Sequence, residues 1–206
     1  MSGTRLPMFP LSAVLFPQAT MPLHVFEPRY RQLMHDCLGG DSRFGVVLIE
    51  RGSEVGGGDQ RAKLGTRGVI TRAAELPDGR WVLEVRGEAV VVIEEWLPDD
   101  PYPQAEIEEL SEPDWDPEDQ ALLDEADELV RESVALAAEL GEPGVPADLR
   151  LAEDPVLRVW QLCAVAPLGP WDRQRLLEAP RRPRLADLIE VVADAKRILA
   201  FRLGGR

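Results

Sequence analysis

Five prolines and three phenylalanines fall between Leu6 and Leu38, LPMFPLSAVLFPQATMPLHVFEPRYRQLMHDCL, and no other stretch limits the possible folds as much. Proline has no N–H to give to a central ladder, so strands here are short, edge-like or bulged. At Pro28 the period changes. Proline suits the first turn of a helix, where an N–H has no intrahelical partner anyway. Behind it Tyr30, Leu33, Met34, Cys37 and Leu38 recur at i, i+3, i+4, i+7 and i+8, and Gly39-Gly40 supplies a stop. The predicted opening is an extended, proline-broken segment that feeds a short amphipathic helix.

A chain of 206 residues makes one large domain or two small ones. It can bury roughly 70% of its unfolded surface, so the core needs no disulfide or metal to support it. Cys37 and Cys163 both sit inside apolar helical patterns and read as buried thiols, which suits a reducing compartment. Prolines interrupt every apolar run near the start, so no signal peptide is expected. No run reaches the ~18 apolar residues of a membrane span. The chain reads as soluble and cytoplasmic, with no membrane partner. Its net charge of −14 is concentrated: between Arg86 and Arg131 there are seventeen Asp and Glu and no Lys or Arg. Such a block repels phosphate backbones and argues against nucleic acid as a partner. It reads as a solvated face, or else as a docking surface for a basic partner.

Phe44 to Ile49 is a continuous apolar run, predicted as a strand buried on both faces. A flexible glycine loop is expected from Glu50 to Lys63; it lacks GxxxxGK[ST], and no GxGxxG follows a strand there, so no nucleotide site is read. A short strand over Gly65 to Glu75, the turn Leu76-Pro77-Asp78-Gly79, and an alternating strand from Trp81 to Arg86 follow. Gly87 is expected to break that strand before a second one from Ala89 to Trp96, and Gln104 to Leu110 adds a shorter one. Several short strands with one early helix suggest a curved or barrel-like sheet.

After Leu110–Pro117 the pattern becomes helical. Asp116 and Pro117 are N-cap and N1 signals for a helix with Leu122, Ala126, Leu129, Val130, Ser133, Ala137 and Leu140 inward and Gly141 as its end. The loop EPGVPADLRLAED has room for one helical turn. Asp154-Pro155 starts a helix that is apolar nearly all round, expected to be the buried centre of a bundle. A short helix over Trp171 to Glu178 and a last one from about Pro183 to Leu203 complete the chain. The fold class is α+β: a β-rich part with one or two helices over 1–112, then an α-helical bundle over 113–206.

The ordered run LPxFPL…VLFP…MPLHVFEPRY closely resembles the opening of the Lon protease N-terminal domain. It is carried by Pro10, Leu11, Phe16, Pro17, Pro22, Leu23, Phe26, Glu27, Arg29 and Tyr30. The segments LPDG…VLEVRGEAVVVIEE and DP…W…LLE…LADLIEVVADAKRIL extend the likeness over nearly the whole chain. The resemblance implies the PUA-like pseudobarrel of that family and a free-standing Lon-domain protein. It also implies a substrate-binding role toward unfolded or client polypeptides, with a protease or chaperone as a further partner.

Catalytic readings find no support in the residues. Lys63 and Lys196 are the only lysines, neither near a serine in a catalytic context, and no GxSxG elbow exists. The ATPase and Ser-Lys protease centres of full-length Lon are therefore not expected here. His35 and Cys37 lie two apart on a helix and diverge, so no metal site is read. No cofactor is expected. The predicted function is non-catalytic polypeptide binding, directed at exposed apolar segments of unfolded or tagged proteins. Phe16, Met21, Phe26, Arg29, Tyr30, Trp96 and Tyr102 are the candidate contacts. For Arg29 the alternative is an internal ion pair; for the aromatic residues it is packing. Competing readings are a small-molecule binder or enzyme with a pocket between sheet and helices, and a partner-docking scaffold of the kind the related cereblon domain exemplifies. The oligomeric state stays open.

Overall fold

The computed structural model describes residues 4–52, 54, 58–142, 144 and 149–205. They form a mixed α+β structure that divides into two compact units, Met1–Ser111 and Glu112–Arg206. The first unit holds β1 (Thr4–Leu11), β2 (Thr20–Val25), α1 (Pro28–Gly39), β3 (Arg43–Arg51), β4 (Gln60–Glu75), β5 (Trp81–Leu97) and β6 (Gln104–Glu109).

The six strands make one sheet in the order β2-β5-β4-β3-β1-β6, and β6 pairs with β5 as well as β1. The sheet therefore returns on itself, leaving β2 outside the ring, attached to the first half of β5. This closure needs a long, bent β5. Its start, Trp81 to Arg86, pairs with β2, while Val91 to Leu97 pairs with β6. Gly87 does not break the strand as expected; it lies inside it. A Cβ there would stand 2.2 Å from the Phe16 carbonyl oxygen, so glycine is needed where the Phe16-Pro17 backbone crosses. The loop expected over Glu50 to Lys63 is shorter than read, because β3 runs to Arg51 and β4 starts at Gln60. Residues 53 and 55–57 of that loop fall outside the described residues.

β3 sits between β1 and β4, and its run Phe44–Ile49 is buried throughout, as its unbroken apolar pattern requires. Against the sheet, α1 buries Tyr30, Leu33, Met34 and Cys37, with Pro28 in its first turn. Leu38, expected on the same face, is 37% exposed. The Phe9 ring stacks on Tyr30 at 4.3 Å and meets Phe44 at 5.9 Å, tying β1, α1 and β3 into one core.

The second unit opens with a 3₁₀ turn over Pro117–Asp119, whose cap Asp116 accepts the Glu118 N–H at 2.9 Å. Four helices follow: α2 (Gln120–Glu139), α3 (Pro155–Val165), α4 (Pro170–Glu178) and α5 (Arg181–Gly204). α2 buries Leu123 and Val134 in addition to Ala126, Val130, Ser133 and Ala137, whereas Leu122 and Leu129 are half-buried. Its inward face is thus turned slightly from the one read. The α3 cap Asp154 accepts the Leu157 N–H at 2.9 Å. α3 is not surrounded: Val159, Trp160, Leu162 and Cys163 are buried, Val156 and Val165 half-buried, and Leu157 is exposed. α5 starts two residues before Pro183, which sits in the first turn, where its missing N–H has no intrahelical role. Within the loop of residues 142–154, where the sequence has room for one helical turn, 149–154 carry no helix and 143 and 145–148 lie outside the described residues.

Both cysteines are free thiols and buried. No described helix is long and apolar enough to cross a membrane.

Candidate functional site

Among the described residues the free edge of the sheet is β2. Just before it, the Ala19 carbonyl accepts the Gly87 N–H at 2.9 Å. The antiparallel register then runs Thr20 opposite Arg86 to Val25 opposite Trp81. In such a ladder the main-chain groups alternate in direction. Counting from Ala19, those of Met21, Leu23 and Val25 face β5, and those of Thr20, Pro22 and His24 face outward. The missing N–H of Pro22 thus falls on the unpaired side, the position an edge strand tolerates. The Leu23 and Val25 side chains are buried, Met21 is half-buried against the core, and Thr20, Pro22 and His24 are exposed.

Beside this edge, Phe9, Pro10 and Leu11 of β1, Leu23 to Phe26, and Glu27, Tyr30 and Glu54 line a cleft of about 50 Å³. That volume admits one small apolar group and is far below the ≈300 Å³ at which cofactor-sized pockets begin. The rim charges satisfy one another. Arg29 Nε meets Glu27 Oε2 at 3.1 Å, its guanidinium lies 4.5 Å over the Tyr30 ring, and Glu54 Oε1 accepts the Ser12 N–H. Burial pushes the Tyr30 hydroxyl up to about 12, with Arg29 pulling the other way. Next to Tyr30, Asp59 and Arg61 pair at 2.6 Å, and Arg61 covers the Trp96 ring at 4.4 Å. Burial works to raise the Asp59 carboxyl, but the Arg61 hydrogen bond and backbone contacts outweigh it and hold the carboxyl below its usual range.

The seven sequence-predicted contacts therefore occupy different environments. Phe26 is 56% exposed and lines the cleft together with Tyr30. Tyr30 is a core residue, and Arg29 makes the internal ion pair that was its alternative role. Trp96 is half-buried under Arg61. Phe16 is 1% exposed, and Tyr102 is buried with its hydroxyl donating to Asp36 Oδ2 at 2.7 Å. Met21 underlies β2. The structure adds Phe9, Leu11, Leu23 and Val25 as cleft walls. The sequence shows this stretch only as extended and proline-broken, and the approach of β1 to β2 at the cleft comes from the fold.

In the second unit an open cavity of about 670 Å³ is lined by small and apolar residues of α2 and the end of α3, with Glu142 and Arg173. Arg173 spends its donors on the carbonyls of Ala164, Ala166 and Leu168, and burial lowers its pKa. Among the described residues no group of three or more His, Cys, Asp or Glu is placed to hold a metal ion.

Residues 5–193 match the family model of the ATP-dependent protease La (LON) substrate-binding domain. The chain belongs to that family. A Lon protease of Flavobacterium johnsoniae is 32% identical over 152 residues, which cover 71% of this chain and 18% of the relative. A LON peptidase N-terminal domain and RING finger protein of Schizosaccharomyces pombe is 30% identical over 115 residues, 50% of this chain and 24% of that protein. The chain thus corresponds to under a quarter of either relative. Among solved structures, a Lon N-terminal domain protein from Xanthomonas campestris aligns with a TM-score of 0.62 at 28% identity, covering 91% of this chain and 98% of that one. The N-terminal domain of Mycobacterium avium complex Lon protease aligns with a TM-score of 0.67 over 94% of this chain and 98% of that one. At 17% identity the latter likeness concerns the fold alone.

Proposed function

We propose that this chain is a polypeptide-binding module that recognises exposed apolar segments of unfolded or tagged proteins and performs no chemistry on them. The observation that carries the reading is the match of residues 5–193 to a substrate-binding domain. The geometry supports it: Phe26 stands exposed beside an apolar cleft too small for a cofactor, on a sheet edge that no described strand covers. Phe26 makes the apolar contact, Tyr30 forms a wall of the cleft with Arg29 over its ring, and Trp96 lies under Arg61. Phe16, Met21 and Tyr102 support the surface from beneath. In the family's terms the closed sheet is the PUA-like pseudobarrel and the four helices its accompanying bundle. A protease or chaperone in the cytoplasm would receive the bound client.

The test is fluorescence anisotropy with a permanently unfolded, carboxymethylated model protein, its native form serving as control. Saturable binding of the unfolded form alone is expected. Absence of saturable binding overturns the reading.

A further inference from the structure

We infer that the β2 edge takes an extended client segment as an added strand, with the client main chain rather than its side chains supplying most of the recognition. The inference rests on the polypeptide-binding reading above and deepens it.

Three features carry it. First, β2 ends the sheet order, and among the described residues it pairs only with β5. Among the described residues no hydrogen bond reaches the outward main-chain groups of Thr20, Pro22 or His24. Two N–H groups and three carbonyls thus point to solvent in strand geometry, an incomplete ladder that an extended chain fills. Second, the side chains near the edge offer little charge to read, since Arg29, Glu27 and Glu54 already engage one another or the backbone. Third, apolar surface lies on one side of the edge only. Leu23 and Val25 are buried and line the cleft, whereas the side chains of Thr20, Pro22 and His24 are exposed, His24 at the rim of the same cleft. A strand laid on this edge places alternate side chains over the cleft and the rest in water.

The occupant is therefore an extended segment with apolar residues at alternate positions. Pro22 favours such a segment over a second copy of this chain. Two β2 edges paired about Pro22 would set proline against proline and forfeit both central hydrogen bonds. A foreign strand forfeits one.

The probe is a fluorescent peptide alternating valine and threonine, with terminal lysines for solubility, in three forms: unmodified, N-methylated on the valines, and N-methylated on the threonines. Only one alternate set of amides can face β2. One methylated form is expected to bind more than tenfold weaker, since each lost hydrogen bond costs about fivefold, and the other to bind as the unmodified peptide does. The His24→Pro variant, checked for unchanged circular dichroism, is expected to weaken the unmodified peptide about fivefold. Equal binding by all three peptides overturns strand addition and leaves apolar capture by side chains intact. Equal loss by both methylated forms overturns it too, since a strand on an edge has one bonded side. So does concentration-dependent dimerisation that His24→Pro abolishes. If neither these peptides nor the unfolded model protein binds, the polypeptide-binding reading itself falls.

Discussion

The guanidinium carbon of Arg184 lies 3.6 Å from the centroid of the Trp160 ring, joining the first turn of α5 to the buried face of α3. The cation is 5% exposed, and each of its three nitrogens donates a hydrogen bond. Nη1 donates to the Glu112 carboxylate at 3.0 Å, Nε to the Leu176 carbonyl at 3.0 Å, and Nη2 to the Ala179 carbonyl at 2.7 Å. Arg181, one turn back, does similar work, donating to the Pro113 carbonyl at 2.6 Å and pairing with Asp119 at 3.4 Å. Irregular chain that no helix could satisfy is thus held by arginine forks. A planar fork suits this task and an ammonium does not.

Arg184→Ala leaves a carboxylate and two carbonyls without their partner. It is expected to destabilise the second unit by about 3–5 kcal/mol, and Arg184→Lys by about 1–3 kcal/mol. Urea unfolding followed by helix circular dichroism measures both. Equal losses for the two variants would show that the fork geometry contributes nothing.

Gly87→Ala forces a Cβ to within 2.2 Å of a backbone oxygen, which has no flexible end to move aside. A loss of about 1–3 kcal/mol is expected. Gly39→Ala, in the last turn of α1 with nothing within 4 Å of the added Cβ, is expected to be neutral or to stabilise by up to about 1 kcal/mol. Thermal melts of the two variants should shift in different directions or by clearly different amounts.

Phe26→Ser removes an exposed ring, so stability should stay within about 0.5 kcal/mol of the parent. Binding of the unfolded model protein should weaken about tenfold, the worth of burying part of a phenylalanine. Tyr30→Ala in the core should instead cost about 3–5 kcal/mol of stability. Anisotropy and denaturation on the same preparations separate the two effects.

Alkaline pH should lower the stability of the fold through four buried groups. Burial raises the Cys37 and Cys163 thiols from 9.0 to about 12 and the Tyr30 hydroxyl from 10.0 to about 12. It also raises Tyr102, assisted by Asp36. Unfolded chains release these protons first, so above pH 9 the unfolded state binds fewer protons than the native one and stability falls as pH rises. The contribution is whole below pH 9 and is lost progressively toward pH 12, at up to about 1.4 kcal/mol per unit for each group. Urea midpoints that stay flat from pH 8 to 11 would contradict the burial of these groups.

Local rules made α1 legible: Pro28 starts it, a 3.6-residue apolar period marks its inner face, and the glycine pair ends it. The same holds for the caps Asp116 and Asp154, which depend only on residues two or three positions away. At Leu38, and in the phase of α2, the periodicity was right but the packing partner decided which borderline residue went inside. Phe26 and Phe16 show the same division at the candidate site. Both are phenylalanines next to a proline-rich strand, yet one is exposed and the other lies in the core.

The order of residues from Leu6 to Leu38 by itself determined the proline-limited strands, the helix behind them and the family to which the chain belongs. Only the tertiary structure decided that β5 runs unbroken through Gly87, that the sheet returns on itself through β6, and that β2 is left as its open edge. Each of these depends on backbones distant in sequence approaching closely: Phe16 against Gly87, β6 against both β1 and β5. A glycine reads as a stop until the chain that crosses it is in place, and an edge exists only once every other strand has found its partner.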